Sequence, residues 1–148
     1  MKSIRPCYSL GAAGLAEGTN ANTFKTSNAL HYVINGRSYI KAATDNLTFS
    51  AGHTSLAAKQ TCAFFVLLDT AGNVTTQQSA IKDSPAGASY VSGAWEWPEV
   101  ANKAVIGAMV VRTDNSAVFV PNTTDMGATD VIDTYHNVAD DYGVPITY

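Results

Sequence analysis

The chain has 148 residues, a length typical of one domain with a buried core. Charged residues make up 14% of it and the net charge is −3, which excludes the basic surface that electrostatic nucleic-acid binding requires. Its polar surface comes largely from Thr, Ser and Asn, which suit strands and turns, whereas helix-forming residues are scarce. We therefore predict an all-β fold: an antiparallel β-sandwich or barrel-like domain built from hairpins.

Residues 1–28 are rich in Gly, Ala, Ser, Thr and Asn and show no amphipathic period. Such a segment is not expected to order by itself. We interpret it as an extended N-terminal arm that docks on a neighbouring molecule, with Phe24 as an anchor; the alternative is an arm folded back onto its own domain. The β-domain is then predicted to span residues 29–137, followed by an extended tail over residues 138–148.

Charge is unevenly distributed along the chain. Five basic residues and one acidic residue occur up to Lys41, whereas six Asp and no Lys or Arg follow Arg112. A basic head and an acidic tail suit complementary contacts between neighbouring copies or with a partner. The alternative is a drift in composition along an ordinary solvated surface.

The clearest local signal is a hairpin over residues 29–41. Asn35 and Gly36 suit the two positive-φ positions of a type I′ turn. The turn fixes the register of the two strands and predicts these cross-strand pairs: Ile34 with Arg37, Tyr32 with Tyr39, and Leu30 with Lys41. The next segment, residues 42–59, is predicted to be a loop with at most a short helix.

A second hairpin is predicted over residues 61–78, the most apolar stretch of the chain. Seven consecutive apolar residues, from Cys62 to Leu68, predict a strand buried on both faces. Gly72 suits the left-handed position of a three-residue loop, and the polar return strand VTTQQ is expected at an edge. We interpret Cys62 as a small buried apolar residue, with a disulfide to Cys7 as the alternative.

The second half of the chain contains a Trp pair and a third predicted hairpin. Trp95 and Trp97 share one side of an extended segment, where they cover the core, form an interface patch or provide a sugar-binding platform. Residues 104–121 are predicted to form a hairpin that turns near Asp114 and Asn115. Gly107 inside its first strand predicts a bulge or the close approach of another backbone. A short strand is expected over residues 131–135.

Sequence motifs for nucleophilic, phosphate-binding or zinc-dependent catalysis do not occur. The three His residues are far apart, and most Asp residues fall in turns, where they cap the backbone. No run approaches the ~18 apolar residues of a transmembrane helix. We therefore predict no catalytic residue, no metal ligand, no cofactor and no membrane partner, and we expect the protein not to be an enzyme.

Several segments in a fixed order resemble small virion structural proteins of tailed bacteriophages. The resemblance spans about residues 20–135 and depends on these segments: NTFKT (22–26), INGRSYIKAATDN (34–46), FFVLLDTAGNV (64–74), ANKAVIGAMVV (101–111) and FVPNTTDM (119–126). The related proteins often have Gly in a PGTTD segment where this chain has Asn122, a residue that also tolerates the left-handed conformation.

The resemblance implies a structural role in the virion, assembled in the host cytoplasm, without enzymatic activity. The main expectation is a capsid decoration (cement) protein that binds the outside of the head and stabilises capsomer contacts. A head-fibre or tail-fibre component, or a receptor- or glycan-binding module, is the alternative. The expected partners are the major capsid protein and further copies of the chain, arranged as a trimer around the Trp pair or the VTTQQ edge. The predicted contact residues are Arg5, Phe24, Lys25, Trp95 and Trp97.

Overall fold

The computed structural model of the protein describes residues 6–84 and 95–138. The predicted contact residue Arg5 and the tail from residue 139 onward lie outside the described residues. Within them, the chain forms eleven strands, numbered in chain order: β1 Cys7–Ser9, β2 Leu15–Glu17, β3 Phe24–Thr26, β4 Leu30–Ile34, β5 Arg37–Lys41, β6 Thr44–Leu47, β7 Gln60–Leu68, β8 Val74–Gln78, β9 Lys82–Asp83, β10 Ala104–Thr113 and β11 Val131–Asn137.

The strands form three antiparallel sheets. The central sheet has the order β11-β10-β7-β8, and β9 pairs with the first two residues of β7. Two smaller sheets have the orders β1-β4-β5 and β2-β3-β6. Both contribute apolar residues to a cluster that they share with one face of the central sheet. The predicted all-β, sandwich-like fold is therefore confirmed.

Strand β7 is buried on both faces, as its unbroken apolar run predicts. Successive side chains of a strand point to opposite faces, so Phe64 and Phe65 enter different clusters. Phe64 packs in the first cluster together with Phe24 and Tyr32 from the small sheets. Phe65 packs in the second cluster, where its ring centroid lies 5.8 Å from that of Trp97. Since burying one Phe side chain contributes roughly 1.5–3 kcal/mol, β7 stabilises both layers at once.

The β4–β5 hairpin has the predicted turn and register. Asn35 and Gly36 have φ angles of 50° and 81°, the positive values that a type I′ turn requires. The observed pairs include Ile34 with Arg37 and Tyr32 with Tyr39. The two tyrosine rings stack with centroids 5.5 Å apart, a cross-strand contact that further stabilises this register.

The turn between β7 and β8 is also the predicted one. Gly72 has a φ of 79°, and the N–H of Asp69 donates to the Asn73 carbonyl at 3.2 Å, which closes a three-residue loop. The Asp69 carboxylate accepts hydrogen bonds from the backbone N–H groups of Ala71 and Asn73. The Asn73 side chain donates to the same carboxylate and is the main cause that lowers the pKa of Asp69. The carboxylate thus caps the turn, as expected for Asp in this position.

The predicted third hairpin, over residues 104–121, is wrong. Strand β10 pairs with β7 on one side and with β11 on the other. A turn does form after β10, where the N–H of Ala117 donates to the Asp114 carbonyl at 3.0 Å. Both edges of β10 are already occupied, so the chain leaves the sheet, and Phe119 instead pairs with Leu56 in an isolated bridge. The strand predicted at residues 131–135 is confirmed as part of β11.

Residues 6–28 are folded onto the domain, which differs from the predicted extended arm. Strand β1 pairs with β4, while β2 and β3 form a sheet with β6. Leu15 and Phe24 are buried in the first cluster. Pairing satisfies the backbone groups of this segment and burial removes its few apolar side chains from water, so the folded-back alternative describes these residues.

Candidate binding surface

The predicted contact residues of the N-terminal segment do not form one surface patch. Side chains alternate along β3, so Phe24 and Thr26 face the core while Lys25, between them, is half-buried. The Phe24 ring is fully buried, with its centroid 5.4 Å from that of Phe49. Phe24 therefore belongs to the core of its own domain and is not available to anchor the segment on a neighbour. Arg5 lies outside the described residues.

The two tryptophans cover the second face of the central sheet. Trp95 and Trp97 are both buried in the second cluster, and Glu96 between them is exposed, as the extended pattern predicts. The indole N–H of Trp95 donates to the Ala80 carbonyl at 3.0 Å, and the Lys82 ammonium lies 5.0 Å from the Trp95 ring centroid. These contacts match the core-covering role among the three that the sequence leaves open.

Burial shifts the pKa values of His53 and Tyr135, two titratable residues beside the core. His53 Nε2 lies 2.8 Å from Thr76 Oγ1, and its ring packs edge-on against Phe64. Burial lowers the pKa of His53. Burial is also the main cause that raises the pKa of Tyr135, and the charge of the nearby Asp133 carboxylate acts in the same direction. Across residues 6–84 and 95–138, no group of three or more His, Cys, Asp and Glu residues could hold a metal ion.

Cys62 provides a pH-dependent test of the core. Cys7 and Cys62 are free thiols, and burial raises the pKa of the Cys62 thiol from 9.0 to about 11. The Cys62 thiol of the unfolded chain ionises at a lower pH than the buried thiol of the folded protein. The contribution of the buried thiol to the free energy of unfolding is therefore complete below pH 9 and is lost as the pH rises through about 11. We expect this thiol to account for a loss of roughly 2–3 kcal/mol in the free energy of unfolding over that window.

Urea unfolding at pH 8 and at pH 11 measures this loss. Cys62→Ala is the control, since it lacks the thiol while other groups that titrate in the same window remain. The difference between the two proteins should shrink as the pH rises. A difference that stays constant would mean that the thiol is not protected by burial.

The outer edge of β8 is covered by the loop of residues 50–54. The N–H of Ser50 donates to Thr76 Oγ1 at 2.8 Å, and the N–H of Thr76 donates back to Ser50 Oγ at 2.9 Å. Thr54 and Gln78 form a second reciprocal pair, with both hydrogen bonds at 2.8 Å. Side chains thus replace a neighbouring strand at this edge. The polar strand VTTQQ is at the sheet edge as predicted, but part of its backbone is not open to another copy.

Removal of one hydroxyl from this loop should expose the edge of β8. In Ser50→Ala, the N–H of Thr76 loses its acceptor, and leaving a buried donor without a partner costs about 1–3 kcal/mol. We expect lower stability in urea and faster hydrogen exchange at the Thr76 amide. Ser55→Ala, at the exposed position directly after this loop, is the control and should change neither quantity. Unchanged exchange at Thr76 in Ser50→Ala would contradict the role given to the loop.

A polar groove of about 570 Å³ runs beside the same edge. Its walls include His53, Thr75, Gln78 and Lys103. Thr75 Oγ1 accepts a hydrogen bond from the Lys103 ammonium at 2.9 Å, and His53 is bonded to Thr76. The polar groups of the groove therefore take part in hydrogen bonds that hold the loop and the sheet together.

The far edge of β5 is open among the described residues. Strand β5 lies at the end of the sheet β1-β4-β5 and pairs there with β4 alone. The pair that closes a two-residue hairpin exchanges both hydrogen bonds, so Arg37, Tyr39 and Lys41 bond inward to β4. The N–H and C=O groups of Ser38 and Ile40 consequently point away from the sheet, where another strand can bind them.

An apolar row crosses the outer face of the same small sheet. The N–H of Leu10 donates to the His31 carbonyl at 2.9 Å, and His31 is paired with Ile40. The Leu10 and Ile40 side chains are 57% and 65% exposed, the two largest values among the big apolar side chains of the described residues. We define Leu10, His31 and Ile40 as the outer row. Together with the open edge of β5, it forms a surface of the described residues that is suited to binding another protein.

Comparisons with family models, curated proteins and solved structures gave no match for this chain. Within residues 6–84 and 95–138, no helix has the length and apolar character needed to cross a membrane.

Proposed function

We propose that this protein is a structural component of a tailed-bacteriophage virion, a decoration protein that binds the outside of the head and stabilises contacts between capsomers. The observation that carries the proposal is the outer row beside the open edge of β5, where two large apolar side chains are more than half exposed. Such a surface suits burial against a protein partner, which would be the major capsid protein. The ordered resemblance of segments within residues 20–135 supports the class of particle.

The mode of action is additive burial. One small apolar row gives weak binding by itself, but a shell presents many equivalent sites, and copies that contact each other bind with a higher effective affinity. The low charge of the chain, 14% of its residues, suits a surface that buries area rather than one that attracts a strongly charged ligand. Each bound copy would resist the separation of the capsomers it spans.

A binding assay with purified heads that lack the protein tests this proposal. We expect the double variant Leu10→Ser/Ile40→Ser to bind about tenfold or more weakly than the native chain, since it removes the apolar row. Val118→Ser/Val120→Ser is the matched control, because these side chains are 51% and 37% exposed and lie elsewhere on the surface. Equal binding of all three proteins would show that the outer row does not contact the head.

Copy number separates the proposed decoration protein from a fibre component. Hundreds of copies in each purified virion are expected for a protein that covers the head, whereas a handful would indicate a head or tail fibre. Trp95 and Trp97 do not favour a glycan-binding module, since both indoles are buried in the second cluster.

A deletion of residues 1–28 would not test the predicted contact of Arg5. It would also remove β1, β2 and β3, including the buried Phe24, so loss of binding would result from unfolding. Arg5→Ala tests the predicted contact without touching these strands. Weaker binding to heads at unchanged thermal stability would support it, and unchanged binding would oppose it.

A further inference from the structure

We propose that residues 139–148 of a neighbouring copy bind the open edge of β5 as an added antiparallel strand. The inference deepens the proposed function by naming the contact between copies. It rests on the proposed function for its biological role, but the contact itself can be tested separately, because association of the purified protein can be measured without the virion. The observations that lead to it are the free backbone groups of β5, the charges at its ends and the chemistry of the tail.

The open edge of β5 is protected against pairing with itself. Antiparallel pairing of two β5 strands about Tyr39 would place Arg37 of one copy opposite Lys41 of the other. Like charges directly opposite each other across two strands are destabilising. Charges at the ends of an exposed strand are a common protection against such pairing, and they favour a partner strand that carries an acidic residue.

The tail has the matching composition. Asp140 and Asp141 precede the segment YGVPITY, in which apolar residues recur at every second position. Strict alternation is typical of a strand with one apolar face. In antiparallel pairing, one register brings opposite charges together and places apolar residues of the tail beside the exposed Ile40, with these pairs: Lys41 with Asp141, Ile40 with Tyr142, Tyr39 with Gly143, Ser38 with Val144, and Arg37 with Pro145.

This register also accommodates the proline. The outward groups of β5 belong to Ser38 and Ile40, so the tail must supply N–H groups at Val144 and Tyr142. Pro145 falls opposite Arg37, which bonds inward to β4, and so its missing N–H is not needed. Gly143 falls beside Tyr39, where an aromatic ring covers the glycine of the added strand.

The tail must come from another copy for geometric reasons. Val138, the last described residue before it, is buried in the second cluster, whereas the β4–β5 hairpin packs on the first cluster, across the central sheet. Stacked sheets lie about 10 Å apart, and the two clusters lie on opposite faces of one of them. Three residues separate Val138 from Asp141 in the register above and span at most about 11 Å. In the small sheet β1 contacts β10, and β5 lies two strands further away, which adds roughly 10 Å at about 4.8 Å per strand spacing to the distance around the sheet. The three residues are therefore too short to reach β5 of the same chain.

Isotope labelling tests the contact directly. A ¹⁵N-labelled chain ending at residue 138 is mixed with unlabelled full-length protein, and amide exchange is followed by NMR. We expect the Ser38 and Ile40 amides of the labelled chain to become protected on mixing. The Tyr39 and Lys41 amides should not change, since they are bonded to β4. The absence of added protection on mixing would overturn the proposal. Protection of the same amides in full-length protein diluted until it is monomeric would also overturn it, because the tail would then bind its own chain.

Two proline variants of the full-length chain provide a matched pair that does not depend on truncation. Val144→Pro removes an N–H that the register uses, so self-association measured by analytical ultracentrifugation should weaken about tenfold or more. Gly143→Pro removes an N–H that the register does not use and should associate like the native chain. Equal effects of the two variants, or none, would refute the register. If the native protein associates through the tail but does not bind to heads, the tail contact is supported and only the proposed function is contradicted.

The charge pair gives a further criterion. Asp141→Lys places a cation opposite Lys41 and should weaken association, whereas the double variant Asp141→Lys/Lys41→Asp should restore it. Asp83→Lys, at an exposed position in β9, is the control for a general change in net charge. Failure of the double variant to recover would overturn the pairing of these two positions.

Discussion

Phe49→Ala is expected to lower the free energy of unfolding by about 3–5 kcal/mol, the usual cost of truncating a buried Phe. The Phe49 side chain is 3% exposed, and its ring centroid lies 4.9 Å from Phe64, 5.4 Å from Phe24 and 6.0 Å from Phe119. It therefore joins the central sheet, the β2-β3-β6 sheet and the bridged loop near Leu56. Removing the ring leaves a cavity bordered by three other aromatic rings.

Chemical denaturation with a near-UV spectroscopic probe measures this loss. Thr48→Ala changes the preceding, exposed residue and should alter stability by less than about 0.5 kcal/mol. A cost below about 1 kcal/mol for Phe49→Ala would show that the neighbouring rings collapse into the space, contrary to the close packing expected of a core.

Gly107→Ala is expected to lower stability by about 1–3 kcal/mol, and Gly107→Val by more. A Cβ atom at this position would lie 2.5 Å from the carbonyl oxygen of His136 and would also meet the Leu15 side chain. One of these contacts is backbone, in β11, so it cannot be relieved by rotating a side chain. The expected response is separation of β10 from β11 or displacement of β2.

Gly127→Ala is the matched control for this substitution. The atoms nearest to its added Cβ are the carboxylate oxygens of Asp125 and Glu17, at 3.6 Å or more, which is ordinary van der Waals distance. Thermal unfolding of the two variants should therefore differ clearly, with Gly127→Ala close to the native protein. Equal midpoints would contradict the close approach of β11 at Gly107.

Local chemistry predicts the two tight hairpins well. Asn35 and Gly36 define the turn type, the turn type defines the register, and the pairing of Tyr32 with Tyr39 follows. Gly72 likewise defines the loop after β7. Gly107 was expected to mark a bulge or a close backbone approach, and both occur: the register shifts between Val105 and Gly107, and β11 lies against the glycine.

Partners that are distant in the sequence were not predicted, because no local pattern specifies them. Strand β10 has the composition of a hairpin strand, yet its neighbours are β7 and β11, which compete successfully with the segment that follows it. The 42–59 segment was expected to be a loop with at most a short helix, but it contains β6. Its Ser50 and Thr54 side chains close the edge of β8 through hydrogen bonds of a kind that composition does not reveal.

Among the described residues, none of the predicted contact residues belongs to the candidate surface. Positive charge near the start of the chain pointed to Arg5 and Lys25, whereas the open edge with its basic ends belongs to Arg37 and Lys41. Aromatic residues near the start and middle suggested contacts at Phe24, Trp95 and Trp97, but large aromatic side chains are also what a small core uses, and all three are buried. The sequence did not indicate Leu10 and Ile40, because their exposure follows from the strand register, which places both on the outer face of the small sheet.

The junction of β2 with β11 has a consequence for biosynthesis. Asn137 Oδ1 accepts hydrogen bonds from the N–H groups of Gly14 and Leu15, and Leu15 packs over Gly107. Strand β2 thus acquires its contact with β11 only after more than 120 further residues have been translated, since these two hydrogen bonds span 123 and 122 residues. Loop closure over such separations slows folding. Nascent chains that stop before residue 131 will lack β11, one border of the central sheet, so ribosome-bound intermediates should remain sensitive to proteases until β11 has been translated.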